Sequence, residues 1–330
     1  MTATDPTVGE LSEGQVLEAI LRQIGPSSAE VGPGDDAAVL PAPGERIVAT
    51  VDTLVHGPDF RLAWSGGYDL GWKSAAVNLA DVAAMGARPT ALLVALAMPD
   101  STPLSFVTAL AAGLRAGCEA LAPGCAVEGG DLTVSDTLTI AVTALGVLDG
   151  IPPVRRDGAR EGDVVAVAGE TGLAARGLGI LFDRFRDAHG APVPVDVAAL
   201  RPGEADAITA QLRPTPPIGL GPIAARAGAS AMMDVSDGLA LDARRMASAS
   251  AVTIDLSSAS IGGDLAVALA GGEDHALLAT FPPDAPLPPG FRAIGTVRAA
   301  QPGGPLHVDG RPFDDRAGWD PYQDWDSERG

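Results

Sequence analysis

Residues 69–86 limit what this chain can become. Ala, Leu and Met dominate the stretch, and Gly86 with Pro89 beyond it supplies a stop, so it reads as one helix. Trp72, Ala75, Ala76, Leu79, Val82 and Ala83 recur at helical spacing and make an apolar face. Asp81 stands among Leu79, Ala80, Val82 and Ala83, with Asn78 one turn before it. A charged carboxylate in such company is costly without a partner. Lys73, two turns upstream, reaches it only in a favourable geometry. Taken alone, the stretch also reads as an ordinary helix with Asp81 at a solvent edge.

Lys73 is the only lysine in the chain. That excludes a Walker A phosphate loop and a kinase-type strand lysine. The four histidines, His56, His189, His275 and His307, show no zinc-site spacing, and no Gly-x-Ser-x-Gly elbow occurs. The formal net charge is −20, and basic residues cluster no further than Arg155-Arg156 and Arg244-Arg245, so no nucleic-acid partner is expected. No run of eighteen apolar residues suggests a membrane span, and no leader pattern opens the chain. Cys118 and Cys125 suggest neither a metal pair nor a disulfide framework, so a cytoplasmic location is the default expectation.

The length of 330 residues suggests two domains, with the boundary at Gly150-Ile151-Pro152-Pro153: residues 1–150 and 151–330. Helices are expected over 12–24, 104–121, 173–185, 218–227, 239–250 and 265–269. Strands are expected over 37–40, 46–50, 91–97, 138–147, 163–168, 231–235, 252–256, 275–281 and 292–297. Both kinds alternate in both halves, so the class is α/β or α+β.

Acids recur at the ends of apolar strands, beside glycine or another small residue. They are Asp35-Asp36, Asp52, Asp131, Asp234 with Asp237, and Glu273-Asp274, joined by Asp81 from the helix. Each alone is also ordinary turn or capping chemistry. Gathered in one place they would repel, and divalent cations would remove that penalty. Glycines beside them would let phosphate approach the backbone. A chain with one lysine must neutralise polyphosphate chiefly with metal. The pattern therefore points to metal-assisted phosphoryl transfer.

Six motifs then occur in the order of a known family. They are Gly34-Asp35-Asp36-Ala37-Ala38, Val51-Asp52-Thr53-Leu54-Val55, Asn78-Leu79-Ala80-Asp81-Val82-Ala83-Ala84-Met85-Gly86, Gly129-Gly130-Asp131, Met233-Asp234-Val235-Ser236-Asp237-Gly238-Leu239 and Gly271-Gly272-Glu273-Asp274. Over residues 30–325 the chain resembles the thiamine-monophosphate kinase family. The resemblance implies a two-domain fold like aminoimidazole ribonucleotide synthetase, α/β or α+β, with mixed sheets and flanking helices. It implies a homodimer formed through the N-terminal domains, and transfer of the γ-phosphoryl of ATP to thiamine monophosphate with several magnesium ions.

By motif, the implied magnesium ligands are Asp35, Thr50, Asp52, Asp81, Asp131, Asp234 and Asp237, with Val51 through its backbone. Gly130, Asp131, Arg156 and Ser236 would contact ATP. Asp59, Glu273 and Trp319 would meet the thiamine moiety, where an aromatic face suits a cationic thiazolium. Asp59 stands where the family often has histidine, His275 where it has tyrosine, and Pro217 where it often has arginine. Two alternatives stay open: another enzyme of this fold, such as aminoimidazole ribonucleotide synthetase itself, or a catalytically silent nucleotide- or metal-binding protein.

Overall fold

The computed structural model of the protein describes residues 30–31, 35–36, 38–42, 45–315 and 317–320. The helix expected over 12–24 lies outside the described residues, as do Gly32, Pro33 and Gly34 of the first acidic turn.

The expected helix over 69–86 is α1 (Gly67–Ala84). Its start is closed by Asp69, whose Oδ2 accepts from the Gly66 backbone N at 3.0 Å. Gly86, at φ +77°, turns the chain out of the helix, a conformation that favours glycine. The burial differs from the single apolar face expected. Leu70, Ala75, Ala76, Val77, Leu79, Ala80, Val82, Ala83 and Ala84 are all buried. A helix apolar on every side belongs inside a protein. One side of α1 lies on the first sheet, another on a second long helix, and the rest against the second half of the chain.

Among the described residues, the first sheet has the order β1-β2-β5-β3-β4. Its strands are β1 (Ala38–Ala42), β2 (Glu45–Val55), β3 (Arg88–Met98), β4 (Ala126–Val134) and β5 (Thr139–Val147). Only β3 and β4 run parallel, and α2 (Leu104–Leu121) crosses between them. By length and composition α2 is the one described helix apolar enough to cross a membrane. Here it lies along α1 at very close range. A Cβ on Gly71 would sit 2.0 Å from the Leu110 backbone O, and one on Gly113 would sit 2.1 Å from the Tyr68 backbone O. Glycine at both positions is a steric requirement of this crossing.

β4 corrects one expectation. Gly129-Gly130-Asp131 lies inside the strand rather than after it, paired with Leu93, Val94 and Ala95 of β3. Glycine in a strand interior often marks close backbone approach. A Cβ on Gly130 would meet the Val94 backbone O at 1.9 Å.

After a turn at Arg156–Gly158, the chain builds a seven-stranded sheet, β12-β11-β8-β10-β6-β9-β7, antiparallel except for β11 with β8. On one side of it β6 (Val164–Ala168), β9 (Ala276–Phe281) and the edge strand β7 (Ala231–Val235) are nearly continuous apolar runs, buried almost throughout. Beyond β6 come β10 (Phe291–Ala299) and β8 (Val252–Leu256), and β11 (Leu306–Val308) and β12 (Arg311–Pro312) form the other edge. The helices α3 (Leu173–Arg184), α4 (Glu204–Leu212), α5 (Leu220–Arg226), α6 (Leu239–Ala249), α7 (Ser258–Ile261) and α8 (Leu265–Ala270) complete this half.

The two halves are tied at α1 and the loop before it. Trp72 Nε1 donates to the Pro214 backbone O at 2.7 Å, and Trp64 Nε1 to the Phe185 backbone O at 3.1 Å. Both indole N–H groups thus find acceptors while their rings are buried or half-buried.

Candidate active site

β2, α1, β7 and the turn before β1 bring their acids to one place. The even-numbered residues of β2 face α1, because side chains alternate along a strand. Thr50 Oγ1 lies 2.8 Å from Asp81 Oδ2 and 3.1 Å from the Asp36 backbone O, and its single hydrogen serves one at a time. Asn78 locks strand to helix: its Oδ1 accepts from Asp52 N at 3.0 Å, and its Nδ2 donates to Ser74 O at 2.9 Å. Asp234 arrives at the end of buried β7. One carboxylate oxygen each of Asp36, Asp81 and Asp234 lies within 4.8 Å of the others.

Burial first, then mutual repulsion, governs these acids. Burial drives the Asp36 carboxyl well above its ordinary range. Arg156 opposes this, while Asp234 and Asp35 add to it. Asp81 is likewise driven well above it by burial and then by Asp234, Asp52 and Asp36. Asp52 is raised to about 6 by burial, with His275 opposing and Asp234 adding. These groups cannot all ionise without a counter-charge.

Arg156 supplies one. Its backbone N donates to Asp35 Oδ2 at 3.2 Å, its Nε to Asp35 Oδ1 at 3.3 Å, and its Nη2 to Asp36. Ser250 holds this turn, donating to Arg156 O at 3.0 Å and accepting from Ala159 N at 3.1 Å. Asp237 is paired with Arg245 Nη1 at 2.5 Å, which also meets Asp242 at 2.9 Å. Asp242, fully buried, is pushed to about 8 by burial and then by Asp237.

Lys73 does not partner Asp81. It forms an ion pair with Glu273 and donates to the Gln211 backbone O at 3.2 Å. Burial pushes the Glu273 carboxyl up, but Lys73 and His275 bring it below its ordinary value, so it is an anion. Glu273, Asp59, Ser236 and Trp319 all line one cavity of about 410 Å³. Trp64, Leu178, Leu181 and Phe182 give it apolar walls. Asp59 spends one oxygen locally, accepting from Val55 N at 2.7 Å.

Two sequence candidates, Asp131 and Gly130, stand apart. Asp131 shares a row with Ala95, Ala141 and Thr53, one residue out of step with the row of Asp52. Neighbouring rows face opposite sides of a sheet. Asp131 is also three strands from Asp52, about 14 Å at ordinary strand spacing. Gly130 is exposed beside it; Val51, expected to act through its backbone, lies on β2 between Thr50 and Asp52 with its side chain outward. In the other direction, Asp36, one of the recurring acids but not among the ligands the motifs imply, belongs to the site, and so do Asn78 and His275. Asp36 was signalled by its neighbour Asp35. Nothing local signalled His275 beyond its place after Glu273-Asp274.

The raised acids set a pH dependence. A carboxyl whose folded pKa exceeds the unfolded value, about 4, keeps a proton that the unfolded chain releases. Stability therefore falls as pH rises from there through the folded value. Asp36, Asp52, Asp81, Asp237 and Asp242 are all raised. Buried His275, also raised, acts in the same direction. Without divalent cations, thermal melting is expected to move to lower temperature between pH 5 and pH 8. A flat or rising profile contradicts the mutual burial of these acids.

Residues 34–148 match the model for the AIR synthase related protein N-terminal domain. The chain is 39% identical to the thiamine-monophosphate kinase of Mycobacterium tuberculosis, over 99% of this chain and 97% of that protein. It is 41% identical to that of Corynebacterium glutamicum, over 88% of each. Its fold superposes on AaThiL complexed with AMPPCP and TMP with a TM-score of 0.83 and 30% identity, covering 97% of this chain and 99% of that one.

Proposed function

The chain belongs to the thiamine-monophosphate kinase family, and from that premise we propose how its own residues carry the reaction. It phosphorylates thiamine monophosphate at the expense of ATP, on an AIR synthase-related fold of mixed sheets and flanking helices. The meeting of Asp36, Asp81 and Asp234, beside the cavity that Ser236 and Glu273 line, carries the assignment of residues.

The acceptor is a phosphate monoester. Its second pKa is about 6, so near neutrality it is mostly dianionic and needs no base to take a proton from it. The difficulty is to bring two anions together. Asp36, Asp52, Asp81 and Asp234 offer oxygen donors only, the set magnesium prefers, and the raised pKa values of Asp36, Asp52 and Asp81 mark the want of a cation there. When bound, magnesium supplies charge neutralisation between donor and acceptor phosphates. Thr50 orients Asp81 by its hydrogen bond.

Asp35, tied to Arg156, and Asp237, tied to Arg245, stand behind this core. Arg156 and Ser236 face the ATP side. Glu273, kept anionic by Lys73, and the Trp319 ring receive the cationic thiamine moiety.

The N-terminal unit, to residue 150, pairs into a homodimer. Every residue of β4 is exposed, including Leu132 at 66% and Val134 at 73%, and Val51 on the same sheet is 60% exposed. An open edge with apolar residues beside it calls for a partner.

Release of ADP tests the assignment. Turnover is expected with thiamine monophosphate, none with formylglycinamidine ribonucleotide, and a steep rise with free magnesium beyond that bound to ATP. Turnover only with the second substrate overturns it. Trp319→Ala is expected to weaken binding of thiamine monophosphate by roughly 0.5–2 kcal/mol and to leave ATP binding unchanged. Titration calorimetry with each ligand checks this, and an equal loss for both would assign Trp319 to folding.

A further inference from the structure

His275 is buried, 5% exposed, and its Nδ1 lies 2.9 Å from Asp234 Oδ2. Its Nε2 has no hydrogen-bond partner among the described residues. A carboxylate oxygen accepts, so the ring donates from Nδ1. The backbone around it is held under strain. Glu273 at φ +73° and His275 at φ +53° both occupy the left-handed region, uncommon for residues other than glycine.

Hydrogen bonds on both sides maintain that conformation. Glu273 N donates to Ser236 O at 2.8 Å, and His275 N donates to Val235 O at 3.2 Å. Asp274 accepts from Gly172 N at 2.6 Å and Ala174 N at 2.8 Å, at the start of α3. A strained turn bolted to β7 and to α3 thus presents one imidazole to one carboxylate.

We propose that His275 is the positioning residue for Asp234: its Nδ1–H fixes the carboxylate where it meets Asp36 and Asp81, and so preorganises the cation site. The inference rests on the metal reading given above. Groups behind metal-binding carboxylates set ligand orientation, and removing one typically costs ten- to a hundredfold in metal affinity.

The experiment measures Mn²⁺ binding by electron paramagnetic resonance, without nucleotide, with thermal melting in the absence of metal as the report on folding. His275→Gly removes the donor and suits the left-handed backbone. It is expected to weaken Mn²⁺ binding about ten- to a hundredfold. His275→Asn tolerates the same backbone and places an amide N–H near Nδ1, so it is expected to recover most of the affinity. His275→Gln carries its nitrogen farther out and is expected to bind less well than Asn, a contrast that stands even if the Gly variant does not fold. Wild-type affinity in His275→Gly, or Asn no better than Gln, overturns the proposal while leaving the metal reading intact. Absence of saturable Mn²⁺ binding in the unaltered protein overturns both.

Discussion

Asp81→Asn is expected to lower turnover with thiamine monophosphate at least about a hundredfold while the protein stays folded. Asp81 sits on a helix enclosed on all sides, with one oxygen within 4.8 Å of oxygens from both Asp36 and Asp234. The amide keeps the shape of the side chain and an oxygen to accept from Thr50, but it removes the charge that holds a cation. The same loss relieves the repulsion with Asp234, Asp52 and Asp36 that raises the Asp81 pKa. The variant without metal is therefore expected to melt at the wild-type temperature or above it. Steady-state kinetics at saturating magnesium and a melting curve measure the two halves. Near-normal turnover would remove Asp81 from the site, and a large drop in melting temperature would make its role structural.

Gly71→Ala is expected to destabilise the fold by about 1–3 kcal/mol, from a single methyl group. That Cβ would lie 2.0 Å from Leu110 O and 2.7 Å from Leu114 N, both backbone atoms of α2 that no rotamer change can move. The helices must separate, and α1 carries Asn78 and Asp81 with it. Gly179→Ala in α3 is the control. A Cβ there meets nothing within 4 Å among the described residues, and alanine is the better helix former, so this variant is expected to be neutral or more stable by about 0.4–1 kcal/mol. Chemical denaturation of both decides it. Equal stabilities would mean that α1 and α2 cross at a greater distance.

The sequence by itself determined the elements of this fold and the residue types of its chemistry. α1, α2 and β8 follow from local rules: the spacing of apolar residues, helix-forming composition, and the glycine and proline that end a segment. These rules act within a few residues, so they are legible along the chain. The surplus of acids over a single lysine pointed to a cation for the same reason, since composition needs no coordinates.

Only the tertiary structure decided which acids meet. Asp36 rather than Asp35 joins Asp81 and Asp234, and Arg156, 121 residues away from Asp35 in sequence, binds both acids of that turn. Lys73 turns to Glu273 across the junction of the two halves, although Asp81 is nearer along the chain. Asp131 leaves the cluster because Gly129-Gly130-Asp131 continues β4 instead of ending it, and the pairing register sets it one row from Asp52. His275 gains its carboxylate because β7 and β9 are neighbours in the second sheet. Each of these contacts joins residues far apart in sequence, and sheet register and the packing around α1 set them. Charge and hydrogen bonding act through distance in space, and no local pattern encodes that distance.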